Sequence, residues 1–401
     1  DAEDNRIEFG YDAVGNLVEL TYPNGDSVEY AYDNGGRLIT VTDWKNRVTR
    51  YTYDTNSRIT QIEFPNQAVR NMTYTDAGQV LTREDLDAGG NVIVAYNYGL
   101  DAGGQITAEA TGHEAPPYQP DKVTMTYDNF QRLSQFNGQN LSYDSDGNLT
   151  RGPLNGTFAN FNWDAHNRLS GAGSHTYHYD AEDRLTGYTA SNQTTNFVVN
   201  PANGTSQILE RIAPDGTMTR YIYGVGLLYE ETFDATKTFH YDHRGNTSAL
   251  SDANGTIIGR LHYGPYGEIY QRLGDTESLF LFNGLFGVLT DPQGLNYMRF
   301  RWYHPEIRRF VSMDVHIGNI SALSSLNRYG FAGGNPVMNA DPNGEFIHIL
   351  VGAAVGAVVN TAITFVADIA DGGGINRSPE EYAGAAIGGA LVGGLTAAFP
   401  G

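Results

Sequence analysis

The sequence predicts a mainly β fold: a long, spiralling antiparallel sheet of short hairpins, followed by a short α-helical apolar tail. Three observations lead there. Gly accounts for 48 of the 401 residues and Tyr for 26, while hydrophobic residues reach only 40%, which suits many short strands joined by tight turns. A tyrosine-aspartate dipeptide recurs through most of the chain. Beyond residue 346, uncharged stretches rich in Gly and Ala replace that pattern.

Tyr11-Asp12, Tyr32-Asp33 and Tyr53-Asp54 stand 21 residues apart, and Tyr74 with Asp76 keeps the register. Further copies are Tyr127-Asp128, Tyr143-Asp144, Trp163-Asp164, Tyr179-Asp180 and Tyr241-Asp242. Such a period marks units that must bury their apolar faces against one another. Between Tyr11 and Leu17 the Asp12 carboxylate can cap a turn, and Gly15 can supply a positive φ. Val18, Leu20 and Tyr22 then share one face of a strand, with Leu17, Glu19 and Thr21 on the other. Pro23-Asn24-Gly25 reverses the chain, and Val28, Tyr30 and Tyr32 return on one face. One repeat is one hairpin. A lone hairpin is marginal in water, so the hairpins must pair edge to edge, and a sheet that long coils under its own twist. Residues 99–122 and 192–214, rich in Gly, Pro, Asn and Thr, are expected to be irregular connections within this architecture.

Acidic residues number 46 against 25 basic, for a net charge of −21. That surface repels phosphate backbones and argues against nucleic-acid binding by this segment. The lack of cysteine excludes thiolate metal sites, thiol catalysis and disulfides. The chain opens on an acidic run without a signal peptide and is expected to be a fragment of a longer polypeptide. No cofactor and no metal site are expected. His175 and His178 would point to opposite faces of a strand, and His240 and His243 flank a repeat turn, so structural roles are expected for all four. Asp144 and Asp146 are spaced as in a calcium loop but lack the later bidentate Glu. No nucleophile stands in register with a base.

From Tyr241 the chain resembles the Rhs/YD-repeat family. Tyr241-Asp-His-Arg-Gly-Asn246 is similar to that family's last repeat, and Tyr263-Gly-Pro-Tyr-Gly-Glu268 to its aromatic turn. Residues 294–314, Ser325-Leu-Asn-Arg-Tyr329 and Asn335-Pro-Val-Met-Asn-Ala-Asp-Pro-Asn-Gly344 resemble the Rhs-associated core. The resemblance divides the chain into a YD-repeat β-shell segment (1–285), the core (286–346) and an apolar tail that begins a passenger region (347–401). It implies a hollow β-shell, as in Rhs toxins, Tc toxin C components and teneurins, plugged at one end by the core. It also implies a structural role in a secreted or cell-surface toxin: the shell encloses and delivers its own C-terminal passenger. Upstream domains of the same polypeptide or a secretion-system component would be its other partners. The alternative is a teneurin-like or wall-associated adhesion protein that releases nothing.

In many such toxins the core is an intramolecular aspartyl protease. Residue by residue, its aspartates fall on Asp314 and Asp341 and its supporting arginine on Arg301. The cut would fall between Glu345 and Phe346, with Glu345 in the place of the usual Leu. Two close carboxylates can divide the acid and base roles, and a guanidinium can hold the charged one. The bland alternative is that Asp314 and Asp341 are turn residues. Residues 349–367 and 383–401 carry no charge, and pairs such as Gly352 and Gly356 would let two helices pack closely. Two readings stay open for them, a helical hairpin inside the shell and contact with a membrane.

Overall fold

A computed structural model describes residues 5–120, 122–201, 206–317, 326–344 and 348–349. Each tyrosine-aspartate repeat is a hairpin, and within each sheet every strand pairs antiparallel with the next in the chain. Strands β1 (Glu8–Tyr11) to β10 (Ile106–Thr111) form a ten-stranded sheet, and β14 (Ser142–Tyr143) to β27 (Ile269–Gly274) a fourteen-stranded one. Between them β11 (Met125–Tyr127), β12 (Leu133–Phe136) and β13 (Gln139–Asn140) make a small sheet. The expected single sheet is therefore divided. The break falls where Pro116, Pro117 and Pro120 offer no N–H to a ladder.

The two expected irregular connections need correction. Residues 99–122 include all of β10, which still pairs with β9 (Val92–Leu100). Residues 192–214 carry β20 (Gln193–Asn200) and β21 (Gln207–Ile212), an antiparallel pair of the large sheet whose register shifts between Val198 and Val199. Thr194 is exposed there, while Thr195 and Asn200 are buried, so Asn and Thr occupy strand positions rather than marking loops. Among the described residues helical structure is confined to short 3-10 turns such as Gly284–Phe286. The expected helical tail lies outside the described residues, except that His348–Ile349 is a strand.

The repeat residues have definite mechanical roles. The Asp33 Oδ1 atom accepts from the amides of Gly35 at 2.9 Å and Arg37 at 3.0 Å, closing the turn, while Arg37 Nε donates to its Oδ2 at 2.7 Å. The Arg37 guanidinium then lies 4.9 Å from the ring centroid of Tyr53, the next repeat's tyrosine. Tyr53 in turn donates its hydroxyl to the Leu38 carbonyl at 2.7 Å. The same reach back to a carbonyl recurs at Tyr32, Tyr74, Tyr143, Trp163, Tyr179, Tyr241 and Tyr263. Burial pushes the Tyr32 phenol up to about 12, so it remains a donor. Each such bond contributes about 1 kcal/mol net and ties one hairpin to the next.

The two large sheets meet in collinear order. Tyr22 donates to the Tyr221 carbonyl at 2.6 Å, Tyr229 to Asp43 at 2.9 Å, and Asn66 to Ser251 at 2.9 Å. These contacts come from the turns opposite the tyrosine-aspartate row, so that one row docks on the second sheet. The core sheet β28 (Leu289–Thr290), β29 (Asn296–Met298), β30 (Arg301–His304) and β31 (Arg309–Phe310) is almost wholly buried. Within it, β30 touches the start of the large sheet through His304 Nε2 and the Pro153 carbonyl (2.6 Å), and the far end through Tyr303, whose hydroxyl donates to the Tyr266 carbonyl (2.7 Å). A flat fourteen-stranded sheet would be about 60 Å wide at ~4.8 Å per strand. Both ends reach one small element only because the sheet curves around it. An aromatic cluster of Phe282, Tyr303, Phe310 and Phe331 packs beside that contact.

Candidate functional site

The hairpin of β29 and β30 pairs Met298 with Arg301, leaving Arg299 and Phe300 as its two-residue tip. Arg301 opens β30, and its guanidinium stacks on Phe310, Cζ 3.7 Å from the ring centroid. One nitrogen, Nη2, then reaches both candidate carboxylates, 2.8 Å from Asp314 Oδ2 and 3.4 Å from Asp341 Oδ2. The three residues singled out by the sequence are thus brought together. They converge from the start of β30, from beyond β31 and from the end of β32 (Asn339–Ala340).

Each aspartate also does a turn residue's work. Asp314 Oδ1 accepts the His316 amide at 2.8 Å, and Asp341 Oδ1 accepts the Gly344 amide at 2.9 Å. The turn reading is therefore correct for one oxygen of each residue, while the other oxygen faces Arg301. Their environments differ. Asp341 is 2% exposed, whereas Asp314 is only partly covered.

Arg328 fixes Asp314 through the backbone, donating Nε to its carbonyl at 2.8 Å and accepting its amide at 2.9 Å. Arg301 Nη1 donates to the Arg328 carbonyl at 3.0 Å, and Arg301 Nε to the Gly344 carbonyl. Gly344 has φ +76°, and a Cβ there would lie 2.7 Å from the Met298 carbonyl oxygen. Glycine alone fits this approach. The expected scissile bond, Glu345–Phe346, lies outside the described residues. The described chain on either side is held, Gly344 by Arg301 and His348 by pairing with Ala340.

Sequence reasoning missed Arg328 and the tip residue Arg299, although both lie inside the core motif. It also missed a second constellation. His240 Nδ1 lies 2.8 Å from Asp85 Oδ2, and His240 Nε2 lies 2.8 Å from Ser251 Oγ. That is the order of a nucleophile, base and orienting acid, contrary to the expectation that none would be in register. All three side chains are enclosed, and Asn66 also donates to Ser251. Arg70 holds Asp85 at 2.7 Å. The group has no room for a substrate and instead locks β8 (Val80–Leu86) to β24 (Thr236–Tyr241) and β25 (Thr247–Ser251) across the layers. No sequence signal could have found it, because the partners come from different sheets.

His178 is exposed and bonds Thr189, and His243 Nε2 bonds the Val337 carbonyl at 2.9 Å. Among the described residues no group of three His, Asp or Glu side chains is placed to hold a metal, and no helix is long and apolar enough to cross a membrane.

The RHS Repeat family profile matches residues 11–48, and the Teneurin YD-shell profile matches residues 90–337. The tRNA3(Ser)-specific nuclease WapA of Bacillus spizizenii is 27% identical over 245 residues, 59% of this chain and 10% of that protein. The toxin subunit YenC1 of Yersinia entomophaga is 29% identical over 109 residues, 26% of this chain and 11% of that protein. The chain therefore spans about a tenth of the curated relatives it matches. The crystal structure of TcdB2-TccC3 without its hypervariable C-terminal region superimposes with a TM-score of 0.62 at 17% identity, covering 85% of this chain and 21% of that one. That likeness is one of fold. The larger profile spans more than half of the sequence, including all of the fourteen-stranded sheet and the Arg301–Asp314 half of the site. The chain belongs to the Teneurin YD-shell family and is an Rhs/YD-repeat shell protein.

Proposed function

We propose that this chain is the C-terminal part of a toxin-associated shell that encloses its own passenger and frees it by cutting between Glu345 and Phe346. The convergence of Asp314 and Asp341 on one nitrogen of Arg301 carries this reading. In the step proposed, water attacks the Glu345 carbonyl carbon. Asp314, the more accessible carboxylate, takes the water proton, and Asp341 gives a proton to the Phe346 amide nitrogen as the C–N bond breaks. Arg301 holds both carboxylates and the carbonyl of Gly344, one residue before that bond. The curved sheet supplies the walls, and the charge of −21 keeps this segment apart from any nucleic-acid chemistry, such as that named for WapA.

The toxin relatives favour a secreted or surface location. The domain division into shell (1–285), core (286–346) and passenger start (347–401) belongs to this proposal, as does the fate of 349–367 and 383–401 inside the shell or at a membrane. The mass of the purified full chain tests the cut: wild type should give two pieces ending and starting at Glu345 and Phe346, and Asp341→Asn one intact chain. A wild type that stays whole ends the self-cleavage reading. A surface role without release would then stand. A 31% identity over 157 residues, 37% of this chain, to salivary gland surface protein 1 of Aedes aegypti favours that second reading.

A further inference from the structure

Arg299 sits at the first position of the two-residue tip between Met298 and Arg301, with φ +55°. That position in a tight hairpin favours Gly, because a Cβ is strained there. An arginine kept in a strained backbone calls for a task done by its side chain. The task is visible in the contacts. Arg299 Nη1 donates to the Pro342 carbonyl at 2.8 Å, and Nη2 to the Phe286 carbonyl at 2.6 Å. Its neighbours continue the series: the Phe300 amide donates to the Asn343 carbonyl at 3.2 Å, and Arg301 Nε to the Gly344 carbonyl. The two tip residues and Arg301 thus hold three consecutive carbonyls of the turn that follows Asp341.

We infer that Arg299 is a positioning residue for the proposed self-cleavage: it sets the Pro342–Gly344 turn at the depth where Asp341 meets Arg301. It does not touch the reacting atoms. Its other anchor, Phe286, belongs to the 3-10 turn packed on β23 (Gly226–Glu231), so Arg299 ties the turn to the shell wall rather than to the core alone. The inference rests on the cleavage reading, and its consequence is specific. Replacing Arg299 relieves backbone strain yet loosens the turn, so stability and cleavage should move in opposite directions.

The test uses the full chain as wild type, Arg299→Asn and Arg299→Lys. It measures the cleavage rate by product mass, the melting temperature, and amide exchange at Asn343 and Gly344 in an Asp341→Asn background and, where wild type stays whole, in the wild-type background. Arg299→Asn should keep or raise the melting temperature, slow cleavage on the order of 100-fold and speed amide exchange. Arg299→Lys, which keeps a donor for Pro342, should restore part of the rate. Wild-type cleavage with wild-type exchange in Arg299→Asn overturns the inference and leaves the cleavage reading standing. Slow cleavage without faster exchange also overturns it, because the turn is then held without Arg299. An uncut wild type overturns the cleavage reading and with it the cleavage role of Arg299; exchange then decides whether Arg299 holds the turn at all.

Discussion

In the repeat turns an arginine serves the aspartate four residues before it: Arg37 with Asp33, Arg58 with Asp54, Arg168 with Asp164, Arg184 with Asp180. In the core a single arginine, Arg301, serves two aspartates distant in sequence from it and from each other. The residue types are the same. The repeat pairs are local, partly exposed and numerous, so each one is dispensable. The core group is more deeply buried, with Asp341 enclosed and Asp314 partly covered, and has no copy among the described residues, so every member depends on the rest. A shared cation between two acids is also an arrangement that chemistry can use, whereas a closed pair in a turn is not.

The sharpest way to break this contrast is Arg301→Met. It leaves Asp341 buried beside Asp314 without their common cation, and breaking a buried charge group by removing one partner typically costs ~3–5 kcal/mol. Denaturant unfolding should show a loss of that size, together with loss of the proposed cleavage. A loss below about 1 kcal/mol would place the core group in the same class as the turns.

A second contrast concerns the buried histidines. Burial holds His240 below its ordinary value and brings His304 down to about 4. Both are neutral when folded and take up protons when unfolded. Their contribution is complete above pH ~6.5 and is lost as the pH falls below that, for His304 down to about 4, by up to ~1.4 kcal/mol per pH unit for each. Burial raises Glu230 to about 7, with the opposite sign: its contribution is complete below about 4.5 and lost as the pH rises to 7. Melting curves between pH 4 and 7 should therefore show a net fall on the acid side. His304→Gln should flatten it and Glu230→Gln should steepen it. The same profile in all three proteins would remove this account.

The smallest effect belongs to the repeat turns. Asp33→Ala removes two hydrogen bonds donated by backbone amides and one arginine contact in a setting that water can partly replace, and about 1 kcal/mol is expected. The melting temperature should shift by a few degrees at most, with cleavage unchanged. A large loss from this one turn would mean the repeats are not the interchangeable units they resemble.

The tyrosine-aspartate spacing, the face of each strand and the turn role of each aspartate could all be read from residues 11 to 32, because hairpin chemistry is local. The arginine of the turns was equally open to view, since Tyr32-Asp33 to Arg37 repeats at Tyr53-Asp54 to Arg58, yet only the structure shows it stacked on the next repeat's tyrosine. The core motif placed Asp314, Asp341 and Arg301 on the page as separate names. Their meeting at one nitrogen needed β30, β31 and β32 folded beside one another. Strand content in residues 192–214 was hidden because Asn and Thr, which fill loops, here fill strand positions, Thr194 exposed and Thr195 and Asn200 buried.

Sequence alone thus determined the unit of this protein, a hairpin whose turn is closed by aspartate, while its fastening by tyrosine to the preceding hairpin came from the structure. Tertiary structure decided where the sheet breaks, how its two layers lock through Asp85, His240 and Ser251, and which carboxylates share Arg301. The physical reason is range. Turn caps and strand periodicity act over a few residues and leave a pattern in the order of amino acids, while contacts between layers depend on how far a sheet has curved before it meets itself.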